Sequence, residues 1–239
     1  MKKKARSLKT KCKSAALPES KVHELLEMHQ EEVSTWRIFK IMTEFVSGFE
    51  FLRKYKGQSI SIFGTARCKT DSKIYKEARK LAYKLAKSKF AVITGGGPGV
   101  MEAANRGAYE AGGRSVGINI QLPTEQRINR YVKESKAFEH FFVRKVMLSF
   151  ASIVYVFFPG GYGTLDEFFE MLTLIQTEKI EPIPVVLVGK DFWEPLMDWI
   201  QTTVYKKNKA IAKEDLAIVK VVDDADEAYS YIKGLKIKI

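Results

Sequence analysis

Glu167 and Arg144, together with three glycine-bearing turns, are the residues of this chain whose types and spacing could do chemistry. Pro159-Gly160-Gly161-Tyr162-Gly163-Thr164-Leu165-Asp166-Glu167 follows the apolar run Ile153 to Phe158 without a spacer, and Glu167 to Thr177 carries apolar residues at helical spacing. That pattern predicts a buried strand, a glycine-rich turn and a helix. Such a turn is suited to an anion, because glycine lets the backbone approach a ligand and the free N–H groups of a helix's first turn favour a phosphate. Glu167 then sits one turn into the helix, its side chain leaning back toward the N-terminus and the phosphate cradle. Thr164-x-x-Glu167 is equally a capping box, a device that stabilises a helix start by roughly 1 kcal/mol. Capping needs at most one glycine, so the other two point to a ligand.

Two more turns share this character. Gly64-Thr65-Ala66-Arg67 ends an alternating strand over Gln58 to Phe63, and Gly95-Gly96-Gly97-Pro98-Gly99 ends a strand over Phe90 to Thr94. The second is not the dinucleotide fingerprint, since Val100 stands where a third glycine is needed, and no Gly-x-x-x-x-Gly-Lys-Ser/Thr run exists for a triphosphate. Two glycine turns converging on one edge suit a mononucleotide, with a phosphate in one and sugar or base against the other.

Gly95-Gly-Gly-Pro-Gly-Val-Met-Glu-Ala-Ala-Asn105, then Arg144-Lys145, then Pro159-Gly-Gly-Tyr-Gly-Thr-Leu-Asp-Glu167 resemble the paired motifs of the LONELY GUY family. These are cytokinin-activating phosphoribohydrolases, often labelled lysine decarboxylases. The similarity runs from about Ser59 to Leu187, and Thr35 to Phe45 resembles the preceding helix of the longer, second type. The resemblance implies cleavage of AMP or N6-prenylated AMP to free base and ribose 5-phosphate, with no cofactor, by a homodimer that can assemble into larger rings such as a hexamer. It also implies Arg144 and Glu167 as catalytic, and Gly160, Gly161, Gly163 and Thr164 as the phosphate loop. Gly96, Gly97, Met101 and Glu102 match the wall near ribose and base. Lys145 matches as well, and Gly64 and Gly95 complete the substrate-binding candidates.

The chemistry agrees with that assignment. Breaking the C1′–N9 bond builds positive charge on the ribose and negative charge on the leaving base, so a carboxylate near C1′ and a fixed cation near the base favour the transition state. Plainer roles stand beside several of these. Glu102 is also a first-turn acid complementing a helix dipole, and Met101 a base-stacking or core residue. Arg67 and Arg114 are phosphate contacts or solvated surface groups, and Tyr162 a loop or packing residue. A non-catalytic nucleotide sensor or carrier would keep the same cradle. A decarboxylase would need pyridoxal phosphate on a lysine, and no recognisable motif places one.

Length and charge set the frame. The 239 residues carry a formal charge of +12, of which Lys2, Lys3, Lys4, Arg6, Lys9, Lys11 and Lys13 supply seven before any acid appears, leaving +5 for the remainder. The reading is a solvated basic arm over 1–18, for which nucleic-acid binding is the lesser alternative. No apolar run approaches the ~20 residues that span a bilayer, so a soluble, cytoplasmic protein is expected. Cys12 and Cys68 allow one disulfide at most, which suits a reducing compartment. His23, His29 and His140 are too few and too scattered for a metal.

Behind the site, the expected order is a helical extension over 19–56 and an α/β domain over 57–239. Within the extension, Ser20 to His29 and Thr35 to Lys54 read as helices. The second, capped by Ser34 or Thr35, has an apolar stripe of Trp36, Phe39, Met42, Val46 and Phe49 that must cover the domain or meet a partner. Helices are expected over Ser72 to Lys87, Met101 to Ala111, Val143 to Phe150, Phe192 to Lys206 and Asp224 to Ile232. Further strands are expected over Arg114 to Ile120, Phe138 to Phe142, Pro184 to Val188 and Ala217 to Val222, with a polar loop over Gln121 to Lys133. Strands alternating with helices predict a Rossmann-like, mostly parallel sheet with helices on both faces, its ligand beyond the strands' carboxyl ends.

Overall fold

Runs rich in Val, Ile and Phe become strands and the amphipathic stretches between them become helices. The computed structural model describes residues 35–121 and 128–235 of the chain. The basic arm, the helix Ser20 to His29 and the part of the loop around Pro123 lie outside the described residues. The chain's contacts divide it into two units, Met1–Lys40 and Ile41–Ile239, and helix α1 (Thr35–Arg53) crosses that division.

Strands β1 (Ser59–Phe63), β2 (Ala91–Thr94), β3 (Ser115–Ile120), β4 (Glu134–Phe138), β5 (Val154–Phe157), β6 (Val185–Val188) and β7 (Val219–Val222) form one sheet. Its order is β4-β3-β2-β1-β5-β6-β7 with every neighbouring pair parallel. The helices are α2 (Lys73–Lys87), α3 (Val100–Glu110), α4 (Phe141–Ser149), α5 (Tyr162–Gln176), α6 (Lys190–Trp199) and α7 (Ala225–Gly234). After Trp199, α6 continues as a π-helical stretch, Ile200–Lys207, and a 3-10 turn, Glu214–Ile218, precedes β7. Ser72 caps α2 by accepting from Tyr75 N, and Asp224 caps α7 by accepting from Asp226 N and Glu227 N.

Both faces of the sheet are covered, which is why its central strands are buried throughout, Ser59 and Ser61 of the alternating β1 included. Ile60, Ile62, Val92, Val154, Val156 and Val186 pack with α2, α3 and α7 on one side. Phe63, Ile93, Tyr155, Phe157 and Leu187 pack on the other with Leu52 of α1, Val143 and Met147 of α4, Phe168 of α5 and Trp193 of α6. The chain steps outward from β1 to β4, then returns to lay β5 on the far side of β1. That reversal opens a crevice at the carboxyl ends of β1 and β5, the place where such sheets bind ligands.

Some expected boundaries move. The strand predicted over Phe138 to Phe142 lies earlier, at Glu134–Phe138, and Phe141 and Phe142 open α4 instead. As an edge strand with largely exposed side chains, Glu-Ser-Lys-Ala-Phe has no apolar alternation to announce it. Helix α5 begins at Tyr162, earlier than a cap at Thr164 would set it, with Gly161 as its cap and no side-chain capping bond. Along α1, Met42, Val46 and Phe49 are exposed, while Ile41, Phe45 and Leu52 pack toward the core, so among the described residues this part of the stripe is largely uncovered. Close approach decides which face turns inward, because a side chain at Gly48 would strike Met147 Sδ at 2.5 Å.

Candidate active site

Three turns at the carboxyl ends of β1, β2 and β5 are knitted into one floor. Thr65 N donates to Pro159 O at 3.0 Å, and Thr65 O accepts from Val100 N at 2.9 Å, so the first turn is bonded to the other two. Gly99 has φ +69°, and a Cβ there would run into Thr65 O, so only glycine lets the second turn come this close. Between the turns lies a cavity of about 680 Å³. Its walls include Gly64, Thr65 and Arg67 from the first turn, Gly95 and Met101 from the second, and Gly161 to Glu167 from the third, with Phe141 and Arg144 of α4.

Glu167 comes from the second turn of α5 and is 8 % exposed. With Gly161 as the cap, Thr164 already lies inside the helix, so the capping box does not form and Glu167 is free of that duty. Burial pushes its carboxyl up from 4.5 to about 7, against the opposing pull of Arg144, with Glu170 adding to the rise. A carboxyl in this state exchanges its proton near neutrality, as an acid–base or charge-stabilising group requires.

Arg144 enters from α4. Its Nε donates to Ile118 O at 3.0 Å, and its guanidinium lies so close over Gly95 that a Cβ there would stand 2.6 Å from Nη2 and 2.9 Å from Met101 Sδ. Burial lowers the pKa of Arg144 and Glu167 raises it, but a guanidinium stays charged in either case. The two side chains sense each other's charge yet close no ion pair, so both remain directed at the cavity they line.

The glycines of the third turn differ among themselves. A Cβ at Gly160 would collide with the Thr164 side chain, whereas at Gly161 and Gly163 it would meet nothing within 4 Å. The last two border the cavity and so leave room for a ligand beside the backbone. Tyr162, between them, is 94 % exposed at the mouth, so it does not pack against the described residues.

Of the residues singled out from sequence, Gly64, Gly95, Met101, Arg144, Gly161, Gly163, Thr164 and Glu167 come together around the cavity. Gly160 lies behind it, under Thr164. Gly96 and Gly97 stand off the wall, where Asn129 N and Nδ2 both bond Gly96 O and Nδ2 also reaches Gly97 O. The Glu102 carboxylate turns to Tyr75, accepting from its hydroxyl at 3.1 Å. Lys145 turns to Asp166 at 2.7 Å and Glu170 at 3.4 Å, tying α4 to α5. Arg67 borders the cavity, while Arg114 donates to Lys54 O at the opposite end of the sheet.

Sequence reasoning missed Thr65 and Phe141 in the wall and the amides behind it. Asn105 accepts from Thr94 Oγ1 and Asn129 Nδ2 and donates to Ser115 Oγ, and Asn119 Nδ2 donates to Gly95 O. Asn105 stood inside the quoted motif, which was a signal, but nothing local marks Asn119 or Asn129. Among the described residues no group of three or more His, Cys, Asp or Glu is placed to hold a metal, and no helix is long and apolar enough to cross a membrane.

Fold and site define a Rossmann-like α/β protein with an anion-suited cleft at the switch point of its sheet. A sequence model described as "possible lysine decarboxylase" matches residues 101–232, and the chain belongs to that family, the one to which the LONELY GUY motifs pointed. It is 33 % identical over 118 residues to a probable cytokinin riboside 5′-monophosphate phosphoribohydrolase of Oryza sativa subsp. japonica, covering 48 % of this chain and 47 % of that protein. The match therefore spans about half the length of that relative. A cytokinin riboside 5′-monophosphate phosphoribohydrolase of Rhodococcoides fascians is 25 % identical over 147 residues, 60 % of this chain and 74 % of its own. Among solved structures, the molybdenum cofactor carrier protein of Chlamydomonas reinhardtii has the same fold. Its TM-score is 0.56 at 23 % identity, over 76 % of this chain and 99 % of that one.

Proposed function

We propose that this protein is a nucleoside 5′-monophosphate phosphoribohydrolase that cleaves AMP, N6-prenylated AMP or both to free base and ribose 5-phosphate. The observation that carries the reading is the buried Glu167 carboxyl, facing a cavity it shares with Arg144 beside a glycine turn open to a ligand. The phosphate sits against Gly161, Gly163 and Thr164 at the N-terminus of α5, where backbone donors and the helix dipole favour it. That places the ribose over the second turn of α5, with C1′ near Glu167.

As the C1′–N9 bond breaks, its electron pair goes to N9 and the ribose takes on positive charge. The ionised Glu167 stabilises that charge, and Arg144 stabilises the electrons gathering on the base. The hydroxyl of water then ends on C1′ and its proton on the base. Because burial opposes the ionised form, the Glu167 charge is only weakly solvated, which strengthens its attraction for a cation that exists only in the transition state. A homodimer would cover the exposed Tyr162 at the mouth.

The test is incubation of the purified protein with AMP, N6-isopentenyl-AMP, GMP, CMP and adenosine, following free base and ribose 5-phosphate by chromatography. Release from one or both adenine nucleotides and none from adenosine is expected, since the phosphate anchors the substrate. Tight binding of AMP with no base released from any of them would overturn the enzyme reading in favour of a carrier.

A further inference from the structure

Helix α1 reaches the segment that leads into α4 through Glu44. Glu44 accepts from Glu139 N at 2.7 Å and His140 N at 3.3 Å, and lies 3.1 Å from His140 Nδ1. Glu139 and His140 are the two residues that lead into α4, and His140 is the cap of that helix without any side-chain capping bond of its own. Arg144 N donates to His140 O at 3.1 Å, so the segment held by Glu44 is the one from which the first turn carrying Arg144 is hung. The other end of α4 is fixed by the core, where the Tyr155 hydroxyl donates to Leu148 O and Ser149 O at 3.0 and 2.7 Å.

We propose that Glu44 is a positioning residue for the reaction: by pinning Glu139 and His140 it sets where α4 begins, and so where the Arg144 guanidinium stands over Gly95 and the Phe141 ring borders the cavity. The contact is placed to do this and little else. Glu44 and His140 are 16 % and 11 % exposed at their side chains, and the neighbouring Met42 and Val46 face outward. The apolar seating of α1 on α4 comes one turn later, through Gly48 against Met147. Packing at Gly48 holds the helices together, and Glu44 supplies the directional bonds that hydrophobic contact cannot. A guanidinium that acts on a developing charge loses its effect steeply when displaced, on the order of a hundred-fold for an ångström.

This inference rests on the phosphoribohydrolase reading for its kinetic arm only. The experiment compares wild type with Glu44→Ala, Glu44→Gln and, as a control on the same helix, the exposed Glu50→Ala. Two quantities are read: kcat and KM for AMP, and amide hydrogen exchange by mass spectrometry over residues 139–146. Glu44→Ala is expected to lower kcat about tenfold or more with KM changed less than threefold, and to speed exchange over 139–146 while the sheet stays protected. Glu44→Gln, which keeps one acceptor oxygen, is expected to recover part of both, and Glu50→Ala to change neither. Unchanged exchange and kcat in Glu44→Ala would overturn the proposal, as would a loss of sheet protection equal to that of α4. Should the wild type release no base from AMP, the exchange arm decides alone, with faster exchange confined to 139–146 supporting the role of Glu44 and unchanged exchange refuting it.

Discussion

The second and third glycine turns look alike as strings of residues and are built for opposite purposes. In the Gly95 to Gly99 turn, the space a side chain would take is filled by the protein itself: Arg144 and Met101 over Gly95, Asn119 over Gly96, the Thr65 carbonyl over Gly99. Behind it, Asn119 and Asn129 satisfy the turn's carbonyls, and Asn105 accepts from Asn129 and holds that amide in place. In the Pro159 to Gly163 turn only Gly160 is filled, by Thr164, and Gly161 and Gly163 face open space in the cavity wall. One turn is scaffold that presents an arginine. The other leaves open space in the cavity wall, and the helix that follows it carries a buried acid. Glycine content alone therefore does not locate a binding loop; what fills the missing side chain's place does.

The largest effect that would sharpen this contrast concerns stability in the vacant region. Folded Glu167 keeps its proton to about pH 7, whereas an unfolded glutamate releases it near 4.5. The folded state binds the extra proton between those values, so stability falls as pH rises from about 4.5 to 7 and the loss is complete above. Glu167→Gln removes that term. Its melting temperature should exceed the wild type's at pH 8, by the equivalent of something on the order of 3 kcal/mol, and match it below pH 4.5. Calorimetry that finds no pH-dependent gap would mean the acid is not strained by burial.

Next in size is Gly96→Ala in the scaffold turn. Gly96 has φ +73° and abuts Asn119, so an alanine should cost about 2 kcal/mol in chemical denaturation. Smallest is Gly161→Ala in the vacant turn, where no atom stands within 4 Å. Its stability should lie within 0.5 kcal/mol of wild type, as for a surface change without a clash, while KM for AMP rises about tenfold. Equal destabilisation by the two alanines would erase the distinction between the turns.

Much of the fold could be read from residue order. Short β-branched runs ending in glycine turns, separated by amphipathic stretches, left a parallel sheet covered on both faces as the economical answer. What escaped was set by long-range context. Strand β4 sits at the sheet's edge with polar side chains, so its place is decided by pairing with β3 rather than by its own pattern. The start of α5 at Tyr162 depends on Gly161 as a cap, which the threonine and glutamate further on disguised. Arg144 and Glu167 were legible because motif spacing carries them. Asn119, Asn129 and Glu44 were not, since each acts on a segment more than 20 residues away and no local pattern marks an amide or carboxylate for such a task.

The central claim is that the Glu167 carboxylate stabilises a ribosyl cation formed from a bound nucleotide. Its most direct test is adenine release from saturating AMP by wild type and Glu167→Ala at pH 8, with folding of both verified by circular dichroism. The account predicts steady release by the wild type and a rate lower by on the order of a hundred-fold or more in the variant. Equal rates in the two proteins would contradict it.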